Sequence, residues 1–112
     1  MFKYGIDGII TALIKSKLLL LITLFIIVIS AGYLFKASQI EFIIIIIVSG
    51  VLMSLEMINT SIELICDFIE PDRNLKIKDI KDISAGAVLL FTILTFIIGC
   101  IIFIPKLLVY LC

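Results

Sequence analysis

The chain has 112 residues, with nine basic and nine acidic side chains, no histidine, and 63% hydrophobic against 16% charged positions. A soluble domain of this length needs more polar surface than that charge content supplies, whereas apolar runs of roughly 20 residues suit a bilayer. Zero net charge offers no basic footprint for nucleic acid, and the missing imidazoles remove the commonest metal-binding side chain.

The opening stretch, MFKYGIDGIITALIKSK, interleaves charged and apolar residues. Phe2, Ile6, Ile9, Ile10 and Leu13 recur at helical spacing, with Lys3, Asp7 and Lys15 largely on other faces. This pattern predicts an amphipathic surface helix over 2–17, lying in the membrane interface. No small-residue cleavage pattern follows it, so a cleaved signal peptide is not expected.

The first apolar run, 18–35 (LLLLITLFIIVISAGYLF), contains no charge and is just long enough to span. KASQ, 36–39, forms a short polar turn. A second helix is predicted over 40–69, beginning with IEFIIIIIVSGVLMSL and continuing as a cytoplasmic extension. The segment EPDRNLKIKDIKD, 70–82, is charged and contains Pro71, which predicts a loop or short surface helix. The third run occupies 83–104, with Pro105 and Lys106 marking its end. The expected architecture is an all-α membrane protein: a surface helix plus three transmembrane helices in one domain over 1–112.

Basic residues set the expected orientation. Lys3, Lys15 and Lys17 precede the first span, and Arg73, Lys76, Lys78 and Lys81 follow the second, while the opposite side has only Lys36 and Lys106. The amino terminus and the 70–82 segment are therefore expected in the cytoplasm. Cys66, Cys100 and Cys112 show no paired spacing, so neither a disulfide nor a zinc site is expected.

The second helix carries the candidate chemistry. At about 100° per residue, Glu56, Asn59, Glu63 and Asp67 fall within roughly 80° of one another, with Thr60 beside them and Ser61 pointing away. A helix over 40–69 is about 45 Å long, well beyond the roughly 30 Å hydrocarbon core. Glu56 then sits near the inner headgroup boundary, and Glu63 and Asp67 project into cytoplasmic water. Acids on such a helix also serve as solvated surface or interhelical glue. An ionisable residue at membrane depth, as Glu56 is, is by default a functional candidate. Lys81 and Asp82 open the third helix, followed by the small residues Ser84, Ala85, Gly86 and Ala87, which let backbones approach. Lys81 is read either as a positive-inside anchor or as a phosphate ligand.

These motifs resemble those of the prokaryotic diacylglycerol kinase family, which includes the undecaprenol kinases. The pattern E-x-x-N-[ST]-[AS]-I-E-x-x-x-D is met by Glu56, Asn59, Thr60, Ser61, Ile62, Glu63 and Asp67. Its companion K-D-x-x-[AS]-[AG]-A-V is met by Lys81, Asp82, Ala85, Gly86, Ala87 and Val88. The resemblance implies a homotrimeric lipid kinase of the bacterial inner membrane, using ATP and Mg²⁺ to phosphorylate a lipid hydroxyl of undecaprenol or diacylglycerol. It implies Glu56 as general base, Glu63 as magnesium ligand, and Asn59, Glu63, Asp67, Lys81 and Asp82 as nucleotide-site residues. No P-loop or kinase glycine-rich motif occurs, so the site is expected to be built from carboxylates and metal between helices.

One position departs from the pattern. The family's first motif, E-x-N-x-R-I-H, has its glutamate where Ser16 stands here, with Leu18 and Ile22 at the asparagine and histidine positions. A serine hydroxyl is a poorer magnesium ligand than a carboxylate. Two alternatives stay open: a relative that has lost turnover, and a small cation transporter using the acidic stripe.

Overall fold

A computed structural model describes residues 2–69 and 75–111. Four helices follow one another: α1 (Phe2–Lys15), α2 (Leu18–Leu34), α3 (Gln39–Ile69) and α4 (Leu75–Leu111), and the described residues contain no strand. The assembly measures 56 × 34 × 19 Å. Its long axis corresponds to α4, whose 37 residues rise about 56 Å. α3 is the central element; α4 packs along it most extensively, then α2, and α1 touches both α2 and α3.

The two connections among the described residues are written locally in the sequence. α1 and α2 meet at 94°. Ser16 makes this corner: its amide and hydroxyl both donate to the Ala12 carbonyl, at 2.9 and 2.6 Å, and its Oγ accepts from the Leu18 amide at 3.1 Å. One hydroxyl thus closes the end of α1 and satisfies a free amide at the start of α2. Ala12 and Leu18 are buried against the bend.

α2 ends with a Schellman closure, in which the Ala37 amide donates to the Gly32 carbonyl and the Lys36 amide to Tyr33. Lys36 takes the left-handed conformation this closure needs, with φ 60°. Gly32 is required for close approach, since a Cβ there would lie 3.0 Å from the Phe42 ring of α3. Ser38 and Glu41 then form a capping box: the Glu41 amide donates to Ser38 Oγ and the Ser38 amide to the Glu41 carboxylate. That carboxylate also holds Lys106 of α4 at 2.7 Å. Phe35 and Tyr110 stack edge-to-face nearby, at 5.5 Å between centroids.

The helix limits match expectation closely for α2 and α3 and differ elsewhere. The surface helix stops at Lys15, because Ser16 and Lys17 turn the corner. The charged segment predicted as loop or separate helix is, from Leu75 onward, the first part of α4. Lys78 and Asp82, paired at i,i+4, stabilise it there. Residues 70–74, including Pro71 and Arg73, lie outside the described residues, as does Cys112. At the other end α4 runs through Pro105 to Leu111 instead of stopping. Proline removes one helical hydrogen bond without forcing termination, and helices in apolar surroundings tolerate it.

The buried apolar set is small: Ala12, Leu18, Ile45, Leu52, Cys66 and Ile102. Large apolar side chains cover the outside of all four helices instead. Of the apolar residues expected on one face of α1, Phe2, Ile6, Ile9 and Ile10 are exposed and Leu13 is half-buried. α3 and α4 are long and apolar enough to cross a membrane. α2, with 17 residues and about 26 Å, meets that description only when joined to α1 across the bend. The chain is a helical membrane protein with two or three candidate spans.

Candidate active site

Burial along α3 grades from one end of the polar stripe to the other. Glu56 and Asn59 are 9% and 8% exposed, Glu63 is half-buried, and Asp67 is exposed. Spacings of three and four keep them on the face that α4 covers. Asn59 lies at the centre of a three-residue chain of hydrogen bonds. Its Nδ2 donates to Glu63 at 2.9 Å, and its Oδ1 accepts from the Ser84 hydroxyl of α4 at 2.6 Å. Both ends of the amide are therefore fixed, and Glu63 is held by its neighbour one turn above.

Glu56 makes no hydrogen bond or ion pair to any described residue. It opens instead into a cavity of about 670 Å³ shared with Asn59, Thr60 and Glu63. The α1–α2 corner supplies another wall, through Lys15, Ser16 and Lys17. Ala85, Val88 and Thr92 of α4 complete it. Asp7, two turns upstream of the corner, does not line this space.

Asp67 stands one turn beyond Glu63 and accepts a 2.8 Å hydrogen bond from Lys81 Nζ of α4. That bond holds the Lys81 amine above its ordinary value, with the nearby Glu63 charge adding to the effect. Asp82 points elsewhere, to Lys78 on the exposed side of α4, and lies outside the cavity. Of the predicted residues, Glu56, Asn59 and Glu63 are brought together around one cavity. Asp67 and Lys81 form a pair at its outer end, and Asp82 is separate.

The sequence profile of the prokaryotic diacylglycerol kinase family matches residues 3–103, nearly the whole chain. The chain belongs to that family.

The chain is similar to an undecaprenol kinase of Bacillus subtilis (strain 168), at 42% identity over 80 residues. The match covers 71% of this chain and spans 65% of that relative's length. No solved structure matches the chain.

Sequence reading of the family motifs missed three participants. Ser84 was legible only as a small residue; its role as donor to Asn59 depends on α3 and α4 meeting in this register. Gly86, in the same small stretch, faces open space rather than a helix contact, because it lies off the 84–88 face. Lys15 and Lys17 read as interfacial anchors, and only the 94° corner brings them to the cavity.

Next to the polar cavity is an apolar one of about 460 Å³, lined by Leu21, Leu24, Phe25, Met53, Phe96 and Gly99 among others. Thr92 lines both. A polar chamber thus adjoins a greasy groove running along the helices.

Proposed function

We propose that the protein is an integral membrane lipid kinase that transfers the γ-phosphate of ATP to the hydroxyl of undecaprenol or diacylglycerol. The observation that carries this reading is Glu56: a buried carboxylate with no partner among the described residues, facing a cavity that Glu63 shares. Phosphoryl transfer asks little beyond positioning, charge neutralisation and a group to take the hydroxyl proton. In this assignment the lipid oxygen attacks the γ-phosphorus, the bond to the β-γ bridging oxygen breaks, and Glu56 accepts the hydroxyl proton. ADP leaves with the bridging oxygen.

The donor set fits magnesium, which takes oxygen ligands, commonly one or two carboxylates with substrate phosphates and water. Among the described residues no three acidic or cysteine side chains converge, so Glu63, with Glu56 near, would be the protein's share. When bound, the ion supplies neutralisation of the transferring phosphate's charge. Asn59 holds Glu63 in place, and Lys81 with Asp67 grips the nucleotide from the outer end; Asp82 assists only after leaving Lys78. The lipid chain lies in the apolar groove, its hydroxyl near Thr92 and Glu56.

The membrane arrangement follows the same reading. If the first span, 18–35, stands upright, the 94° bend between α1 and α2 lays α1 in the interface plane. The second span is 40–69 with its cytoplasmic extension, and the third is 83–104, all in a bacterial inner membrane with a cytoplasmic amino terminus. A homotrimer accords with the family resemblance. Purified protein in lipid, given labelled ATP and each lipid separately, is expected to label undecaprenol or diacylglycerol. Absence of transfer to both, with Glu56→Gln indistinguishable, would sink the proposal.

A second reading is a relative impaired in turnover, favoured by Ser16 occupying the cavity wall without a carboxylate. A large gain of activity in Ser16→Glu would support it.

A further inference from the structure

The family motifs give no part to Lys15 and Lys17, yet both line the cavity that holds Glu56 and Glu63. Neither makes a hydrogen bond or ion pair with any described residue. Their placement is fixed by the corner: Ser16, between them, is hydrogen-bonded to Ala12 and Leu18, and the turn shares the cavity wall with Glu56, Asn59 and Glu63 of α3. Lys3, on the same helix and equally basic, does not reach the cavity.

The charges are complementary. Glu56 and Glu63 bring two negative charges, Lys15 and Lys17 two positive ones, so the lining of the chamber is formally neutral. A polyphosphate entering beside two carboxylates alone meets repulsion, and a pair of ammonium groups at the rim removes it. Ammonium groups bind phosphate as point charges through three rotatable donors, which suits a flexible wall between water and membrane.

Building on the kinase reading of this cavity, we propose that Lys15 and Lys17 bind the polyphosphate of ATP, so that the corner supplies positive charge directly and nucleotide is retained without metal. Lys81, committed to Asp67, closes the outer end, while the two corner lysines hold the phosphates from the membrane side.

The test is equilibrium binding of labelled ATP to the full chain in phosphatidylcholine nanodiscs, in EDTA and in magnesium. The wild type is expected to bind ATP in EDTA. The double variant Lys15→Met/Lys17→Met should lose about tenfold in that affinity, and Lys15→Arg/Lys17→Arg should stay within about threefold, since charge is kept. Lys3→Met is expected to match the wild type. Where the double variant does not remain monodisperse, the single Met variants are read, each expected to lose about threefold. Unchanged ATP affinity in the Met variants overturns the assignment. So does an effect that appears only as altered dependence on anionic lipid content, which would make the lysines headgroup anchors. Failure of the wild type to bind ATP under either condition rejects the kinase reading itself, a separate outcome.

Discussion

Ser84 of α4 donates a 2.6 Å hydrogen bond to Asn59 of α3, and Asn59 in turn donates to Glu63. A residue 25 positions away in sequence therefore orients the amide that holds the proposed metal-binding carboxylate. Ser84→Ala leaves the buried Asn59 carbonyl without its partner, which costs about 1–3 kcal/mol. Thermal melting in detergent should fall accordingly, and kcat should drop with KM for lipid nearly unchanged. Ser84→Thr, which restores a hydroxyl, is expected to recover part of both.

Glu56→Gln keeps shape and removes the base. Transfer is expected to fall by about 10²–10⁴-fold, the usual range for general-base catalysis. Because Glu56 has no partner to lose among the described residues, the melting temperature should change little. A large loss of stability instead would assign Glu56 a structural role.

Ser16 distinguishes architecture from chemistry at the same position. Ser16→Ala removes both corner hydrogen bonds of the hydroxyl and is expected to cost about 1 kcal/mol, typical of a lost helix cap. Ser16→Glu places a third carboxylate on the cavity wall, so it should tighten magnesium binding and weaken ATP binding in EDTA. Isothermal titration of each ligand separates these effects.

The apolar groove is tested at Gly99, where an added Cβ meets no atom within 4 Å. Gly99→Leu should be tolerated by α4, since glycine is about 1 kcal/mol worse than alanine inside a helix. Filling the groove is expected to raise KM for the lipid severalfold and leave KM for ATP unaltered. An equal rise in both would place the lipid chain elsewhere.

Lys81 gives a pH prediction. Its amine is raised by the hydrogen bond to Asp67, so the folded value lies above the unfolded one. The pair's stabilisation is then fully present below the ordinary lysine value of about 10.4 and is lost as pH rises through the raised value. Comparing melting temperatures of wild type and Lys81→Met, the difference should be constant from about pH 6 to about pH 9. Because the Lys81 and Asp67 side chains are 39% and 60% exposed, it should shrink with added salt.

The sequence by itself determined what is local. Run lengths and apolar content identified a helical membrane protein, and spacing put Glu56, Asn59, Glu63 and Asp67 on one helix face. The capping box at Ser38 and Glu41 is likewise local, lying within one helical turn, whereas the close approach of Gly32 to Phe42 needs α2 and α3 to pack. The limits of α4 were less legible, because proline and a charged segment signal a break only where no ion pair or apolar surrounding sustains the helix. Tertiary structure alone decided which side chains meet. It put Ser84 on Asn59, turned Asp82 toward Lys78, and folded the Lys15–Ser16–Lys17 corner onto the acidic stripe. Those relationships depend on the angle and register between helices, which packing sets and which no single helix's periodicity contains.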